Sequence, residues 1–149
     1  MKLGERIQSA DWKAEKHVPV IELPAAIEER KNFDVTVSVG KSIPHPNTTE
    51  HHIRWIDVYF QPAEDKFIYQ VAHFDFTAHG EAVKGANQGP SYTHPVVTFR
   101  MNVNEPGTLI AVALCNIHGL WESSAEVRFG GDTAPVKTPA GPMPKVRPG

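Results

Sequence analysis

Hydrophobic and polar residues alternate with a period of two along several short stretches of the chain, as in β-strands that bury one face. In 34–39, three valines alternate with Asp34, Thr36 and Ser38. Five further stretches are rich in β-branched or aromatic residues: 52–60, 66–76, 96–103, 109–115 and 125–129. No stretch shows a long helical period. The pattern therefore predicts an all-β protein.

Turn-forming residues separate several of these stretches, at 61–62, 85–90 and 105–107. The segment 22–30 predicts either a short helix, which Pro24 would disturb, or a loop or strand. Six or seven short strands joined by turns are typical of an immunoglobulin-like antiparallel β-sandwich. This prediction concerns the architecture alone, because the Cys…Trp…Cys pattern of immunoglobulin domains is absent.

The length of the chain sets the number of domains. Its 149 residues, 40% of them hydrophobic, suffice for one domain with a core but not for two of ordinary size. We assign that domain to 1–130. The remainder, 131–149, is rich in proline and glycine and contains few hydrophobic residues. Because such a composition buries too little surface to offset the entropy of ordering, we expect a disordered, flexible tail.

Charge and hydropathy exclude two classes of partner. The formal net charge is −2 and no run of lysine or arginine could follow a phosphate backbone, so nucleic-acid binding is not expected. The longest apolar stretch, 109–115, is far shorter than the roughly 20 residues that span a bilayer. Residues 1–10 lack the apolar core of a secretion signal. We therefore expect a cytoplasmic protein that does not enter membranes.

The single cysteine, Cys115, ends the 109–115 stretch, and His118 follows three residues later. One cysteine cannot form an internal disulfide or a CxxC metal knuckle. A Cys-x-x-His pair that leaves a strand and enters a turn ending at Gly119 can place sulfur and imidazole on one metal ion. The thiolate is the form of cysteine that binds metals.

A second segment carries two candidate ligands. His45 lies between Pro44 and Pro46, which stiffen the backbone that presents its imidazole. His51 follows six residues later. In an extended strand the two histidines would be about 20 Å apart, so the intervening loop has to fold back if both are to bind one ion.

A third segment places the carboxylate of Glu15, the ammonium of Lys16 and the imidazole of His17 side by side. Together with the cysteine and the other histidines, it completes a set of one soft anionic ligand and several imidazoles. Such a set suits iron, copper or zinc.

In these segments the chain resembles superoxide reductases of the neelaredoxin and desulfoferrodoxin group. The matching segments are 15–21, 40–53 and 115–121, and the resemblance extends from about residue 11 to residue 129. Members of that family bind one non-haem iron, Fe²⁺ or Fe³⁺, in a square-pyramidal arrangement. The resemblance assigns the equatorial positions to His17, His45, His51 and His118, and the axial position to the thiolate of Cys115.

The same resemblance implies a reaction and its partners. Superoxide binds at the sixth position, opposite sulfur, and is reduced to hydrogen peroxide. Glu15 matches a glutamate that can occupy this position in the oxidised enzyme, and Lys16 matches a lysine that attracts superoxide and helps to deliver protons. The sequence lacks the four-cysteine iron domain of some members, which implies the one-iron type. Those members are often homotetramers and accept electrons from rubredoxin.

Three alternatives stay open. A cupredoxin-like copper electron-transfer protein is also a β-sandwich with a late Cys…His pair, but it normally has an axial methionine soon after the second histidine. Here the next methionine after His118 is Met143. A structural zinc site would need only four ligands and no open position. Cysteine nucleophilic catalysis would leave the Pro-His-Pro loop unexplained.

The other notable side chains receive structural interpretations. His52 directly follows a candidate ligand and points the other way in an extended chain, so we expect it to pack or to form hydrogen bonds. We expect core packing for Trp55 and Trp121 and a solvated side chain for Lys41. Three histidines are expected to be ordinary surface or interface residues: His73, His79 and His94.

Overall fold

The computed structural model describes residues 1–130, so the predicted tail, 131–149, lies outside the described residues. Seven strands form the described part, preceded by one turn of 3-10 helix, Leu3–Glu5. The strands are β1 Pro19–Glu22, β2 Phe33–Val39, β3 Ile53–Pro62, β4 Tyr69–Asp75, β5 Val96–Met101, β6 Gly107–Cys115 and β7 Gly119–Val127. The predicted all-β class is confirmed.

The strands form two antiparallel sheets, with the orders β1-β2-β5 and β4-β3-β6-β7. The long strand β3 pairs with both β4 and β6, and β6 continues through a tight hairpin into β7. The predicted antiparallel β-sandwich is therefore confirmed. Among residues 1–130, no helix has the length and hydropathy that crossing a membrane requires.

Two strands, β7 and β1, differ most from the prediction. β7 begins at Gly119, whereas the sequence pattern indicates a strand only at 125–129. Hydrophobic and polar residues do not alternate clearly in the first half of β7, because the polar Ser123 is buried. Its hydroxyl donates to the Pro19 carbonyl oxygen at 2.5 Å. The pattern predicts no strand at Pro19–Glu22, but these residues pair with β2 and form β1. The segment 22–30 contains no helix.

Apolar side chains from both sheets fill the space between them. Val35 and Val37 of β2 and Ile56 and Val58 of β3 are fully buried members of one hydrophobic cluster. Burial of each such side chain contributes about 1.5–3 kcal/mol to folding. Cys115 belongs to the same cluster and is 1% exposed, so the core ends at the thiol.

Strand pairing brings the three candidate segments to one end of the sandwich. Ile53, the first residue of β3, pairs with Cys115, so the loop before β3 lies beside the β6–β7 turn. Pro19, the first residue of β1, pairs with Val39 at the end of β2. The residues just before Pro19 therefore lie beside the loop that follows β2.

Candidate metal centre

A close contact between two parts of the backbone shapes the loop that contains His45. Gly40 follows β2 with a φ of +89°, and a Cβ atom added there would lie 2.6 Å from the His45 backbone nitrogen, so glycine is required. The His45 ring donates from Nδ1 to the Pro46 carbonyl oxygen at 2.6 Å. Its Nε2 is buried and has no hydrogen-bond partner within residues 1–130.

A tight turn brings His51 back toward His45. The Thr48 backbone N–H donates to the His51 carbonyl oxygen at 2.9 Å, and the His51 N–H donates to the Thr48 hydroxyl oxygen at 3.0 Å. The imidazole centroids of His45 and His51 are consequently 4.8 Å apart. The loop thus folds back as two ligands of one ion require.

His17 approaches from the segment before β1. It is 5% exposed, and its ring stacks on the Trp121 indole with centroids 5.0 Å apart and planes inclined by 17°. Glu15 accepts hydrogen bonds from His17 Nδ1–H at 2.6 Å and from the His17 backbone N–H at 3.2 Å. A proton held at Nδ1 leaves the lone pair of Nε2 available to a metal.

The β6–β7 turn supplies the last two candidate ligands. Cys115 pairs with Gly119 across the turn, and the His118 backbone N–H donates to the Cys115 sulfur at 3.4 Å. The Trp121 indole N–H donates to the His118 carbonyl oxygen at 3.2 Å. One indole therefore contacts both His17 and this turn.

The donor atoms converge. One ligand atom from each of His17, His45, His51 and Cys115 lies within 4.8 Å of the others. His118 is outside this group of four, yet its Nδ1 lies 3.1 Å from His17 Nε2, 3.2 Å from His51 Nε2 and 3.7 Å from the Cys115 sulfur. Imidazole nitrogens bind metals at about 2.0–2.1 Å, so neighbouring ligands at right angles are about 3 Å apart. The observed spacings fit one ion among the five residues.

The protonation of the centre also fits a metal. Burial lowers the pKa of His45 to about 4. Burial is also the largest cause that lowers the pKa of His17 and of His51, and the charge of Lys16 acts in the same direction. Neutral imidazole is the form that binds metals. At neutral pH the buried Nε2 of His45 therefore carries a free lone pair, which can bind a metal ion.

Glu15 and Lys16, the two predicted catalytic residues, differ in their contacts. Burial alone would raise the pKa of Glu15, but its hydrogen bonds with His17 lower that pKa, so the group is a carboxylate at neutral pH. It lies against Nδ1 of His17. Lys16 is half-buried, and its charge acts on His17, His45 and His51.

Two buried histidines lie behind the candidate ligands. His52 and His79 are 7% and 3% exposed and stack with ring centroids 3.5 Å apart and planes inclined by 6°. The expectation that His52 packs and forms hydrogen bonds is confirmed, since its Nδ1 donates to the Thr48 carbonyl oxygen. The prediction that His79 is a surface residue is wrong. Its ring stacks on His52, and its Nε2 donates to the Phe76 carbonyl oxygen at 2.6 Å.

The remaining side chains have simpler surroundings. His73 and His94 are exposed, as predicted. Trp121 is buried as predicted, although it packs on a candidate ligand. The prediction for Trp55 is wrong: it is half-buried outside the core cluster, with its ring centroid 6.4 Å from that of His73. Lys41 is exposed and forms an ion pair with Glu22.

Comparison with known proteins agrees with this geometry. The family model described as desulfoferrodoxin matches residues 9–124. Neelaredoxin from Megalodesulfovibrio gigas is 59% identical over 127 residues, which are 85% of this chain and 98% of the relative. Superoxide reductase from Pyrococcus furiosus is 53% identical over 121 residues, 81% of this chain and 95% of the relative.

A solved structure agrees as well. The superoxide reductase (neelaredoxin) of Archaeoglobus fulgidus in the reduced form superposes with a TM-score of 0.77 at 52% identity. The superposition covers 83% of this chain and 98% of the other. The range matched by the family model, 9–124, contains all five candidate ligands.

Proposed function

The chain belongs to the desulfoferrodoxin family, and from this membership and its geometry we propose that it is a superoxide reductase, an oxidoreductase that acts on superoxide. Each turnover converts superoxide, one electron and two protons into hydrogen peroxide. The observation that supports this function best is the convergence of imidazoles and a cysteine thiol at one end of the sandwich. The cofactor of the family is a non-haem iron centre.

We propose the following ligand set for one iron: Nε2 of His17, His45 and His51, Nδ1 of His118, and the sulfur of Cys115. When bound, iron supplies a one-electron couple, and five protein ligands leave one coordination position open. His45 is held with its Nε2 buried and unpartnered. His118 and Ile117 are exposed, with Ile117 at 60%. The centre therefore lies near the surface, where a small anion and an electron donor can approach.

Lys16 and Glu15 have separate roles in this proposal. The ammonium of Lys16 attracts superoxide to the centre and assists proton delivery, because a cation beside a shallow site raises the rate of encounter with an anion. Glu15 accepts the Nδ1 proton of His17 and orients that ring. In this proposal Glu15 is also a labile sixth ligand of the oxidised iron and not an essential acid.

Partners and location extend the proposal. We propose that residues 1–130 form the iron-binding superoxide reductase domain, that rubredoxin is the electron donor, and that the protein is a cytoplasmic homotetramer. The flexibility of 131–149 remains a prediction. The comparisons support superoxide reductase over a copper electron-transfer protein, since the relatives bear the first name. Four candidate imidazoles also exceed the two histidines of a blue-copper site.

Metal analysis with a visible spectrum tests this function. We expect one iron per chain, a blue colour in the oxidised protein, and loss of that colour on reduction. Cys115→Ser should abolish the colour because the transition involves the thiolate. His73→Gln, at an exposed histidine of β4, is the matched control and should remain blue. A colourless zinc protein, or copper in the elemental analysis, would contradict the proposal.

A further inference from the structure

The stacked pair of His52 and His79 lies directly behind the loop that presents His45 and His51. We propose that His79 is a positioning residue for the metal centre, which holds this loop in the one conformation that presents both imidazoles. The inference rests on the proposed function, because it concerns the same ligand set. It assigns a role to a residue that supplies no ligand atom.

The ring of His79 is anchored on one side and contacts the loop on the other. Its Nε2–H donates to the Phe76 carbonyl oxygen at 2.6 Å, which fixes the ring to its own segment. Its Nδ1 lies 3.1 Å from the side-chain oxygen of Asn47. The Asn47 amide nitrogen in turn donates to the Thr93 carbonyl oxygen at 3.2 Å. Asn47, two residues after His45, is thus fixed by Thr93 and packed against the ring of His79.

The backbone of His79 holds the same loop at a second position. The Thr49 hydroxyl donates to the His79 carbonyl oxygen at 2.7 Å. The Asn87 backbone N–H donates to that hydroxyl oxygen at 3.1 Å, and the Thr49 N–H donates to the Asn87 side-chain oxygen at 2.8 Å. Asn47 and Thr49, two residues apart in the loop, therefore both contact the segment 79–87.

His52 links the pair to the sulfur-bearing turn. Its ring donates from Nδ1 to the Thr48 carbonyl oxygen at 2.9 Å and stacks on His79. Its backbone N–H donates to the Asn116 side-chain oxygen at 2.9 Å, and the Asn116 N–H donates to the His52 carbonyl oxygen at 3.2 Å. Asn116 directly follows Cys115. The stacked pair therefore lies where the two ligand-bearing segments meet.

These contacts place His79 in an outer shell, behind the candidate ligands. Both of its ring nitrogens already lie against oxygen atoms, so neither is free to bind the ion. Metal ligands have to be held within about 0.5 Å of their working geometry by the groups behind them. Loss of such a group typically costs 10- to 100-fold in metal affinity while the number of ligands is unchanged.

Co²⁺ binding by two variants of the full chain tests the inference. His79→Phe keeps an aromatic ring against His52 and removes both ring nitrogens, whereas His79→Gln restores a nitrogen donor. We expect affinity, measured by competition with a chromophoric chelator, to fall about 10- to 100-fold in His79→Phe. The binding stoichiometry should stay at one and the sulfur-to-cobalt absorption band should shift. Part of the affinity should return in His79→Gln. His73→Gln, a change of an exposed histidine, should alter neither quantity.

The outcomes separate this inference from the proposed function. A folded His79→Phe protein with the wild-type affinity and spectrum overturns the role of His79, while wild-type binding still supports the metal centre. If His79→Phe fails to fold, Asn47→Ala decides, because it removes the side chain that lies between His79 and Thr93 and leaves the stacked rings intact. A loss of about 10-fold or more in that variant supports the inference, and unchanged affinity overturns it. A wild-type protein that binds no metal removes the proposed function and this inference together.

Discussion

Histidines occupy two regions of this molecule with opposite surroundings. At one end of the sandwich, the candidate ligands face one another and the thiol of Cys115. On the outer face of the β4-β3-β6-β7 sheet, His73 lies between two carboxylates. Its Nδ1 pairs with Asp57, and its Nε2 is 3.1 Å from Asp75.

The two surroundings have opposite effects on the proton of an imidazole. Hydrogen bonds to Asp57 and Asp75 raise the pKa of His73, so its charged form is favoured. Burial lowers the pKa of His45 to about 4, so its neutral form is favoured. An imidazole that keeps both protons has no lone pair for a metal. Neighbouring carboxylates therefore favour the protonated form of an imidazole. A buried site lined by imidazoles and a thiol favours the neutral form, which can bind a metal.

Glu15 is a carboxylate that contacts a candidate ligand, His17, yet its position leaves the metal-facing nitrogen of that ring unprotonated. It binds the proton on Nδ1 of His17, whereas Nε2 lies 3.1 Å from Nδ1 of His118. A carboxylate on the outer nitrogen makes the inner nitrogen a stronger donor to a metal. The two regions thus differ in where the carboxylates bind: both ring nitrogens of His73 contact one, whereas only the outer nitrogen of His17 does.

The largest effect should come from deleting an imidazole in the metal region. His45→Ala removes the buried Nε2 that has no protein partner. Because a lost ligand costs more than a lost outer-shell group, we expect Co²⁺ affinity to fall by more than about 100-fold. Chelator competition measures the change, and His73→Ala serves as the control from the other region. A loss smaller than tenfold in His45→Ala would show that His45 is not a ligand.

A smaller change in affinity should follow from removing the outer carboxylate. Glu15→Ala leaves His17 Nδ1 without its acceptor, and we expect about tenfold weaker metal binding. Glu15→Gln retains an oxygen acceptor and should bind more tightly than the alanine variant. Substantial turnover should persist in both iron-loaded proteins. Complete inactivity of Glu15→Ala would count against a labile, non-essential role for this carboxylate.

Charge reversal at Lys16 should change the encounter rate and leave the ligand set intact. We expect Lys16→Glu to slow the second-order reaction with superoxide several-fold to about tenfold at low ionic strength, because the attraction of the anion becomes repulsion. Added salt should narrow the gap by screening. Pulse radiolysis at two ionic strengths measures both. Lys66→Glu makes the same change at an exposed site beyond the other end of β3 and should react like the wild type.

The smallest effect should come from His73, which lies between Asp57 and Asp75. Because folding raises the pKa of His73, its ion pairs stabilise the fold below the ordinary histidine pKa of about 6.5. That contribution disappears as the pH rises through the raised pKa of the folded state. We expect His73→Gln to lower the free energy of unfolding by less than about 1 kcal/mol near pH 5.5, with the difference vanishing in alkali. Urea unfolding near pH 5.5 and at alkaline pH measures the change in the free energy of unfolding. A decrease of the same size at both pH values would refute this contribution of His73.

Several features could be predicted because they depend on local sequence. The alternation in 34–39 predicts β2, since side chains in a strand point to opposite faces in turn. The thiol and imidazole groups of Cys115 and His118 sit at a strand end in the sequence as in the structure. Their chemistry already indicates a transition metal.

The sequence by itself determined the ligand chemistry and most of the strands, because these depend on residue type and near neighbours. Residue type and spacing did not determine which histidines meet; the family resemblance assigned them, and the tertiary structure brings them together. The Ile53–Cys115 and Pro19–Val39 pairings, which join residues far apart in the chain, bring the candidate ligands together. Contacts between distant segments also bury His79 against His52, whereas Trp55 is half-exposed. Strand register is set by many weak contacts between distant faces, so no local pattern could predict the surroundings of these two residues.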